Sequence, residues 1–318
     1  MYVYGPVPSR RLGKSIGINH IPPKICSYSC IYCQLGNTIK KQVERTRFYS
    51  PEKIYSEAKS QIRKAVDRKE RIDYLTFVPD GEPTLDINLG KEIELLKSLG
   101  KKIAVIQNSS LLWREDVRND LLNADWVSIK IDAVSQNKWN LLNRPHEELK
   151  IDDILKGVKD FSAQFKGELT TETMMIRNYN DDLNEVEKIT NFIEKINPDT
   201  AYISIPTRPP AEKFARMPKE TAINQAYQVF SKKLENVEYL IGYEGNEFAY
   251  TGEIDKDLLS ITSVHPMREE SVKKLLLKAN SGWEIVETLI EENKLLELDY
   301  RNKKFYMRKI PSRIEPKS

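Results

Sequence analysis

The sequence predicts an α/β protein: a partial (β/α)6 barrel followed by a small C-terminal winged-helix-like domain. Three observations carry this. Short β-branched runs alternate with longer helical patterns, as in parallel βα units. The alternation repeats six times up to about residue 235 and then changes to helix, helix, hairpin. Polar clusters follow the strand-like runs, at the end of a barrel where chemistry is placed.

The first strand is expected over residues 15–20, and the loop after it carries all three cysteines. Ser50-Pro51 reads as an N-cap and first-turn proline that open a helix to about residue 66. Strand 72–78 is followed by helix 89–99, strand 102–107 by helix 114–122, and strand 126–132 by helical segments 135–142 and 151–165. Strand 168–176 precedes helix 183–196, and strand 200–205 precedes helix 219–234. These make up a barrel domain over 1–235. A connecting segment, 236–262, holds short strands at 237–243 and 247–250. The C-terminal domain, 263–318, reads as helices 269–278 and 283–292, then strands 295–300 and 304–309 joined at Arg301-Asn302, with a frayed tail after Ile310.

Hydrophobic residues make up 40% of the 318, enough for a sizeable core, and the net charge is only +3. That balance gives no global reason to expect nucleic acid. No apolar run is long enough to span a membrane, and the N-terminus has no apolar signal region. A cytoplasmic, reducing location is expected. There, clustered cysteines are more often metal-binding or catalytic than disulfide-bonded.

The cysteines stand as Cys26-Ser-Tyr-Ser-Cys30-Ile-Tyr-Cys33, a Cys-x3-Cys-x2-Cys spacing with Tyr32 before the last. Three thiolates in one loop can hold three irons of a cubane and leave the fourth open to a chelating ligand. Structural zinc would want a closed fourth ligand. There is no fourth cysteine, and His20 is the only nearby histidine.

This loop resembles the signature of the radical SAM superfamily, Cys-x3-Cys-x-aromatic-Cys. The resemblance implies a [4Fe–4S] cluster on Cys26, Cys30 and Cys33. It also implies S-adenosylmethionine (SAM) chelated at the open iron and cleaved reductively to a 5′-deoxyadenosyl radical. Tyr32 would then lie against the adenine. The electron would come from a flavodoxin- or ferredoxin-like donor. The stretch from Val7 to Gly36, with Gly81-Glu82-Pro83-Thr84, is similar to uncharacterised iron–sulfur oxidoreductases near the wyosine-type tRNA synthases.

Asp80-Gly81-Glu82-Pro83 stands where the superfamily has Gly-Gly-Glu-Pro, a motif that meets the SAM ammonium. Gly81 can bring backbone close to a ligand, and Glu82 offers an acceptor for a cation. An ordinary turn is the alternative reading. Asn108 lies in a polar cluster after the third strand. Alternation puts Ser128, Lys130 and Asp132 on one face of the fourth strand. Lys130 would hold the SAM carboxylate and Asp132 the ribose hydroxyls, or Lys130 and Asp132 form a buried pair without a ligand. Glu172 or Arg177 of the fifth strand would touch SAM or substrate. Arg208 would grip a substrate anion or cap the rim, and residues 8–13 would bind an anion or cover the barrel.

All three cysteines are committed to one cluster, so comparison with the superfamily excludes members that need auxiliary clusters or further catalytic cysteines. Wyosine synthases carry extra N-terminal cysteines, which this chain lacks. The expected function is hydrogen abstraction from an unidentified substrate, a tRNA or nucleotide or a partner protein. The alternative is a non-enzymatic iron–sulfur or zinc regulator with a nucleic-acid-binding winged helix. Arg301, Lys303, Lys304, Arg308 and Lys309 on the wing bear on that alternative.

Overall fold

The computed structural model describes residues 2–242 and 248–309. Its centre is one eight-stranded sheet. The chain begins with β1 (Val3–Ser9) and β2 (Gly13–Ile18), then a cysteine loop bearing the short parallel pair β3 (Ile25–Cys26) and β4 (Lys40–Lys41). Next come α1 (Pro51–Asp67), β5 (Tyr74–Phe77), α2 (Leu89–Lys97), β6 (Lys102–Gln107), α3 (Glu115–Leu121) and β7 (Trp126–Lys130). They are followed by α4 (Gln136–Asn143), α5 (Ile151–Ser162), β8 (Glu168–Met174), α6 (Leu183–Ile196), β9 (Thr200–Ser204), α7 (Glu220–Ser231) and β10 (Val237–Leu240). The sheet order is β1-β2-β5-β6-β7-β8-β9-β10. β1 runs antiparallel to β2, and every other neighbouring pair is parallel.

The expected βα series is therefore observed, and two pieces of the sheet go beyond it. The N-terminal segment, read as an arm or cover, includes an edge strand. Its Tyr4 and Val7 turn toward the C-terminal unit rather than into the barrel core. The strand expected in a connecting segment at 237–243 instead extends the main sheet as β10; its last expected residue, Tyr243, lies outside the described residues. Residues 248–250 form no strand, and Glu247 also lies outside the described residues.

Period-2 alternation explains the layering. Ile16, Phe77, Val105, Ile129 and Ile203 face the helices and share a core with Ile54, Leu96, Phe161 and Ile193. On the opposite, inner face, Leu12, Ala104, Trp126, Tyr202 and Leu240 form a separate apolar plug. Toward the strands' C-terminal ends the inner face becomes polar, with Lys130, Glu172 and Ser204.

The C-terminal part contains α8 (Ile254–Val264), β11 (Met267–Arg268), α9 (Glu269–Lys278), α10 (Glu284–Glu291), β12 (Leu295–Tyr300) and β13 (Lys303–Arg308). The strands form an antiparallel sheet in the order β11-β13-β12. Arg301 and Asn302 both adopt positive φ, as a tight two-residue hairpin turn requires. α8 lies largely within the segment that the sequence presents as a connector. Its Leu258, Ile261 and Val264 pack with Tyr4 and Val7 of β1, so a tertiary neighbour completes its apolar face. Among the described residues no helix is long and apolar enough to cross a membrane.

Candidate functional site

The cysteine loop is held from two sides. On one side, Lys24 N donates to the Asp80 carbonyl at 2.9 Å and Glu82 N to the Ile25 carbonyl at 3.1 Å. On the other, Ser29 N and Ile31 N donate to the carbonyls of Asn143 and Leu142, both at 3.0 Å, at the end of α4. Gly81 permits the contact between Glu82 N and the Ile25 carbonyl. A Cβ there would lie 1.9 Å from the Ile25 carbonyl oxygen, a backbone atom that cannot swing aside. Gly81→Ala is expected to push the loop off the β5 end at a cost of about 1–3 kcal/mol. Thermal unfolding together with iron content per chain after reconstitution checks this: both should fall, and an unchanged pair would refute the close approach.

The thiols of Cys26, Cys30 and Cys33 are unpaired and face one cavity of about 200 Å³. Asn108 Nδ2 lies 3.5 Å from Cys26 Sγ, and Asn143 Nδ2 lies 3.4 Å from Cys30 Sγ. Amide donors of this kind stabilise anionic sulfur and tune cluster potentials. Burial, then the charge of Glu82, pushes the Cys26 thiol up. Burial, then Asp132, pushes the Cys30 thiol up to about 12. Such thiols lose their protons only to a bound cation, so loading is coupled to proton release.

The same cavity is lined by Lys24, Asp80 and Gln107. Lys24 Nζ, Asp80 Oδ1 and Gln107 Nε2 are buried there without a hydrogen-bond partner. Burial pulls the Lys24 ammonium down, while Cys33 and Asp80 act the other way. Burial raises Asp80 to about 6 against its bond from Asn19 and the charge of Lys24. A cation, an anion and an amide with spare bonding capacity thus belong to residues that line a space bordered by three sulfurs. The donor set fits a cubane with an open iron beside a zwitterionic ligand.

Several sequence-expected roles change at this point. Gly81 lines the cavity, and the direction in which a Cβ would point is taken by the Ile25 carbonyl. Glu82 lines the cavity and is also held by the protein: Oε1 accepts from Thr84 N at 3.1 Å and Thr84 Oγ1 at 2.6 Å, and Oε2 accepts from Asn108 N at 2.8 Å. It ties the β5 loop to the β6 loop and thereby places Asn108. Asp132 lies behind Tyr32 and accepts from the Tyr32 hydroxyl, from Asn143 Nδ2 at 2.9 Å and from Met174 N at 2.8 Å. With both oxygens bonded to protein, it orients Tyr32 rather than reaching into the cavity. Tyr32 does line the cavity, with Lys130 Nζ 5.2 Å from its ring centroid.

Lys130 lies on the cavity wall, but its close partner is Glu172 at 2.8 Å, not Asp132 at 4.0 Å. Glu172 also takes Arg11 and accepts from Ser204 Oγ at 3.0 Å. Burial opposes both charges. Lys130 and Arg11 nevertheless hold the Glu172 carboxyl well below the usual range, and Glu172 and Asp132 raise Lys130. Arg177 turns away from the site and bonds the Met217 carbonyl at 3.0 Å. Arg208 contacts Gln34 of the cysteine loop at 2.8 Å and His265 Nε2 at 2.9 Å. Lys24 and Asn143 were missed. Lys24 stands one residue before β3 at positive φ, and Asn143 reaches the site only through the α4 end. Only the adjacency of Lys24 to the motif could have hinted at it.

Residues 21–193 match the radical SAM superfamily. The chain is 50% identical over 312 residues to UPF0026 protein MJ1312 of Methanocaldococcus jannaschii, covering 98% of this chain and 97% of that protein. It is 34% identical over 209 residues to UPF0026 protein slr1464 of a Synechocystis strain, covering 65% of this chain and 76% of that protein. Among solved structures, TYW1 with a lysine-pyruvate adduct superposes with a TM-score of 0.53 at 18% identity, over 69% of this chain and 74% of that one. A radical SAM methyltransferase from Sphaerobacter thermophilus also gives 0.53, at 14% identity, over 71% of this chain and 66% of that one. The fold, the three thiols on one cavity and the matched span agree: the chain belongs to the radical SAM superfamily, enzymes that use a [4Fe–4S] cluster and S-adenosylmethionine.

Proposed function

We propose that this enzyme holds one [4Fe–4S] cluster on Cys26, Cys30 and Cys33, binds SAM beside it and abstracts hydrogen from a substrate. The observation that carries this is the cavity lined by three thiols and by Lys24 and Asp80, whose Nζ and Oδ1 have no hydrogen-bond partner. When bound, the cluster supplies the electron that cleaves SAM. The protein's part is binding and orientation. Lys24 suits the methionine carboxylate and Asp80 the ammonium, while Gln107 offers an amide to either end. Tyr32, braced by Asp132 and Asn143, presents a ring to the adenine. Lys130 keeps its charge at the wall through Glu172. Asn108 and Asn143 hold the sulfurs rather than the substrate.

A second cavity of about 120 Å³ shares Val78 and Ile106 with the first. It is lined by Tyr4, Arg11, Gln34, Arg208 and His265 and lies between the inner face of the sheet and the C-terminal unit. We place the substrate's reacting group there. The order from α8 onward reads as a winged-helix-like unit. Its seat on β1 beside this cavity supports a role in recognising a tRNA, a nucleotide or a partner protein. A soluble flavodoxin- or ferredoxin-like protein would deliver the electron.

The test is anaerobic reconstitution with iron and sulfide, reduction by dithionite, and chromatography of the products. 5′-Deoxyadenosine should form from SAM without added substrate. A chain carrying a full complement of iron and sulfide that makes none would overturn the proposal.

A further inference from the structure

His20 follows β2, Asp86 lies between the Pro83 turn and α2, and Glu92 belongs to α2. A ring nitrogen of His20 and one oxygen from each carboxylate lie within 4.8 Å of one another. All three residues are at most 1% exposed. His20 Nδ1, Asp86 Oδ2 and both oxygens of Glu92 have no hydrogen-bond partner. The nearby Arg45 guanidinium lowers Asp86 by its charge but spends its hydrogen bonds elsewhere. It donates to the Thr84 carbonyl at 2.9 Å and the Asp86 carbonyl at 2.7 Å, and it pairs with Asp116 and Asp120.

Glu92 is a buried carboxylate without a donor, and Asp86 keeps Oδ2 open while its Oδ1 accepts from Asn88 N at 2.8 Å; open buried oxygens of this kind call for a cation. We propose that His20, Asp86 and Glu92 form a buried site for one divalent transition ion of the Zn²⁺ or Mn²⁺ type, separate from the cysteine cavity. The mixed donor set decides the class. One imidazole nitrogen with two carboxylates suits these ions better than Ca²⁺ or Mg²⁺, which take all-oxygen shells. Metal–ligand bonds of about 2 Å place ligand atoms roughly 3–4 Å apart, so small side-chain rotations close the cage. A neutral imidazole is already in ligand form, and burial pulls the His20 ring down to about 4.

The location gives the ion a role. His20 Nε2 lies 3.1 Å from the Pro83 carbonyl, directly behind the Asp80–Glu82 turn that lines the cysteine cavity. An ion here clasps the end of β2 and α2 to that turn from the helix side. The site does not depend on the proposed reaction.

The test uses full-length, cluster-loaded protein equilibrated with Zn²⁺ or, separately, Mn²⁺, then desalted and analysed for metals by mass spectrometry. One ion per chain should remain beyond the iron. Cys30→Ala should keep it, and Glu92→Gln should lower its occupancy more than about tenfold. The wild-type melting temperature should also rise on adding the ion. Wild-type protein that retains no such ion and shows no thermal shift overturns the site, however the variants fold. So does Glu92→Gln with wild-type occupancy, or an ion that disappears with the cysteine.

Discussion

Replacing any one of Cys26, Cys30 and Cys33 by alanine is expected to remove the iron–sulfur chromophore and cut 5′-deoxyadenosine formation by at least about a thousandfold, an effect larger than ~4 kcal/mol on the barrier. Each thiol supplies one iron ligand, and the described fold holds no spare cysteine to replace it. The damage should be confined to the metal. The three side chains are half-buried, and the loop around them is fixed by backbone bonds from Ser29, Ile31 and Glu82 that a Cys→Ala change leaves intact. Metal-free variant and metal-free wild type should therefore unfold within about 1 kcal/mol of each other. Only the wild type should gain stability on reconstitution, because the cluster binds the folded state. Anaerobic iron and sulfide analysis alongside thermal scans of all four proteins measures this. A single-cysteine variant that still yields 5′-deoxyadenosine would refute the assignment of that ligand.

Glu172→Gln should carry the largest stability cost of any single change on the barrel's inner face. Glu172 is 9% exposed and joins Lys130, Arg11 and Ser204. Removing its charge leaves Lys130 half-buried beside Arg11, with only Asp132 at 4.0 Å as a counter-charge, a loss of about 3 kcal/mol. The melting temperature should drop by roughly 5–7 °C. Changing Glu172 to Gln and Lys130 to Met together should recover part of that, since the uncompensated ammonium goes too.

The pH dependence has a definite sign. Burial would raise the Glu172 carboxyl, but Lys130 and Arg11 outweigh it and hold the group well below its ordinary value. Stability from such a depressed carboxyl is fully present above the unfolded pKa of about 4.3 and is lost as pH falls through the folded value. The gap between wild type and variant should stay constant near neutrality and narrow below roughly pH 4. A gap that widens in acid would mean that Glu172 is not the charged partner.

Much of the sheet is legible in the sequence, because strand and helix periodicity are local properties. Ile16, Leu75, Ile103, Val127 and Ile203 announce strands whatever their neighbours. β1 and β10 are less legible. Val237–Leu240 is a short stretch that becomes part of the sheet only by pairing with β9, and β1 is interrupted by Gly5-Pro6. α8 is hidden for a similar reason: its apolar face is completed by Tyr4 and Val7, some two hundred and fifty residues away.

The candidate site divides in the same way. The Cys-x3-Cys-x2-Cys spacing lies within eight residues, and a chain that short brings its thiols together in almost any compact turn. The sequence alone therefore determined the family, the cofactor pair and the alternating architecture. The tertiary structure decided which polar groups still have bonding capacity. Glu82 and Asp132 have the residue types expected of ligands, yet their oxygens are bonded by Thr84, Asn108, Tyr32, Asn143 and Met174, donors from other turns and strands. Lys24 and Asp80 retain unpartnered atoms because the fold buries them on the cavity without supplying partners. Hydrogen-bond capacity is settled by contacts distant in sequence, and spacing along the chain does not encode it.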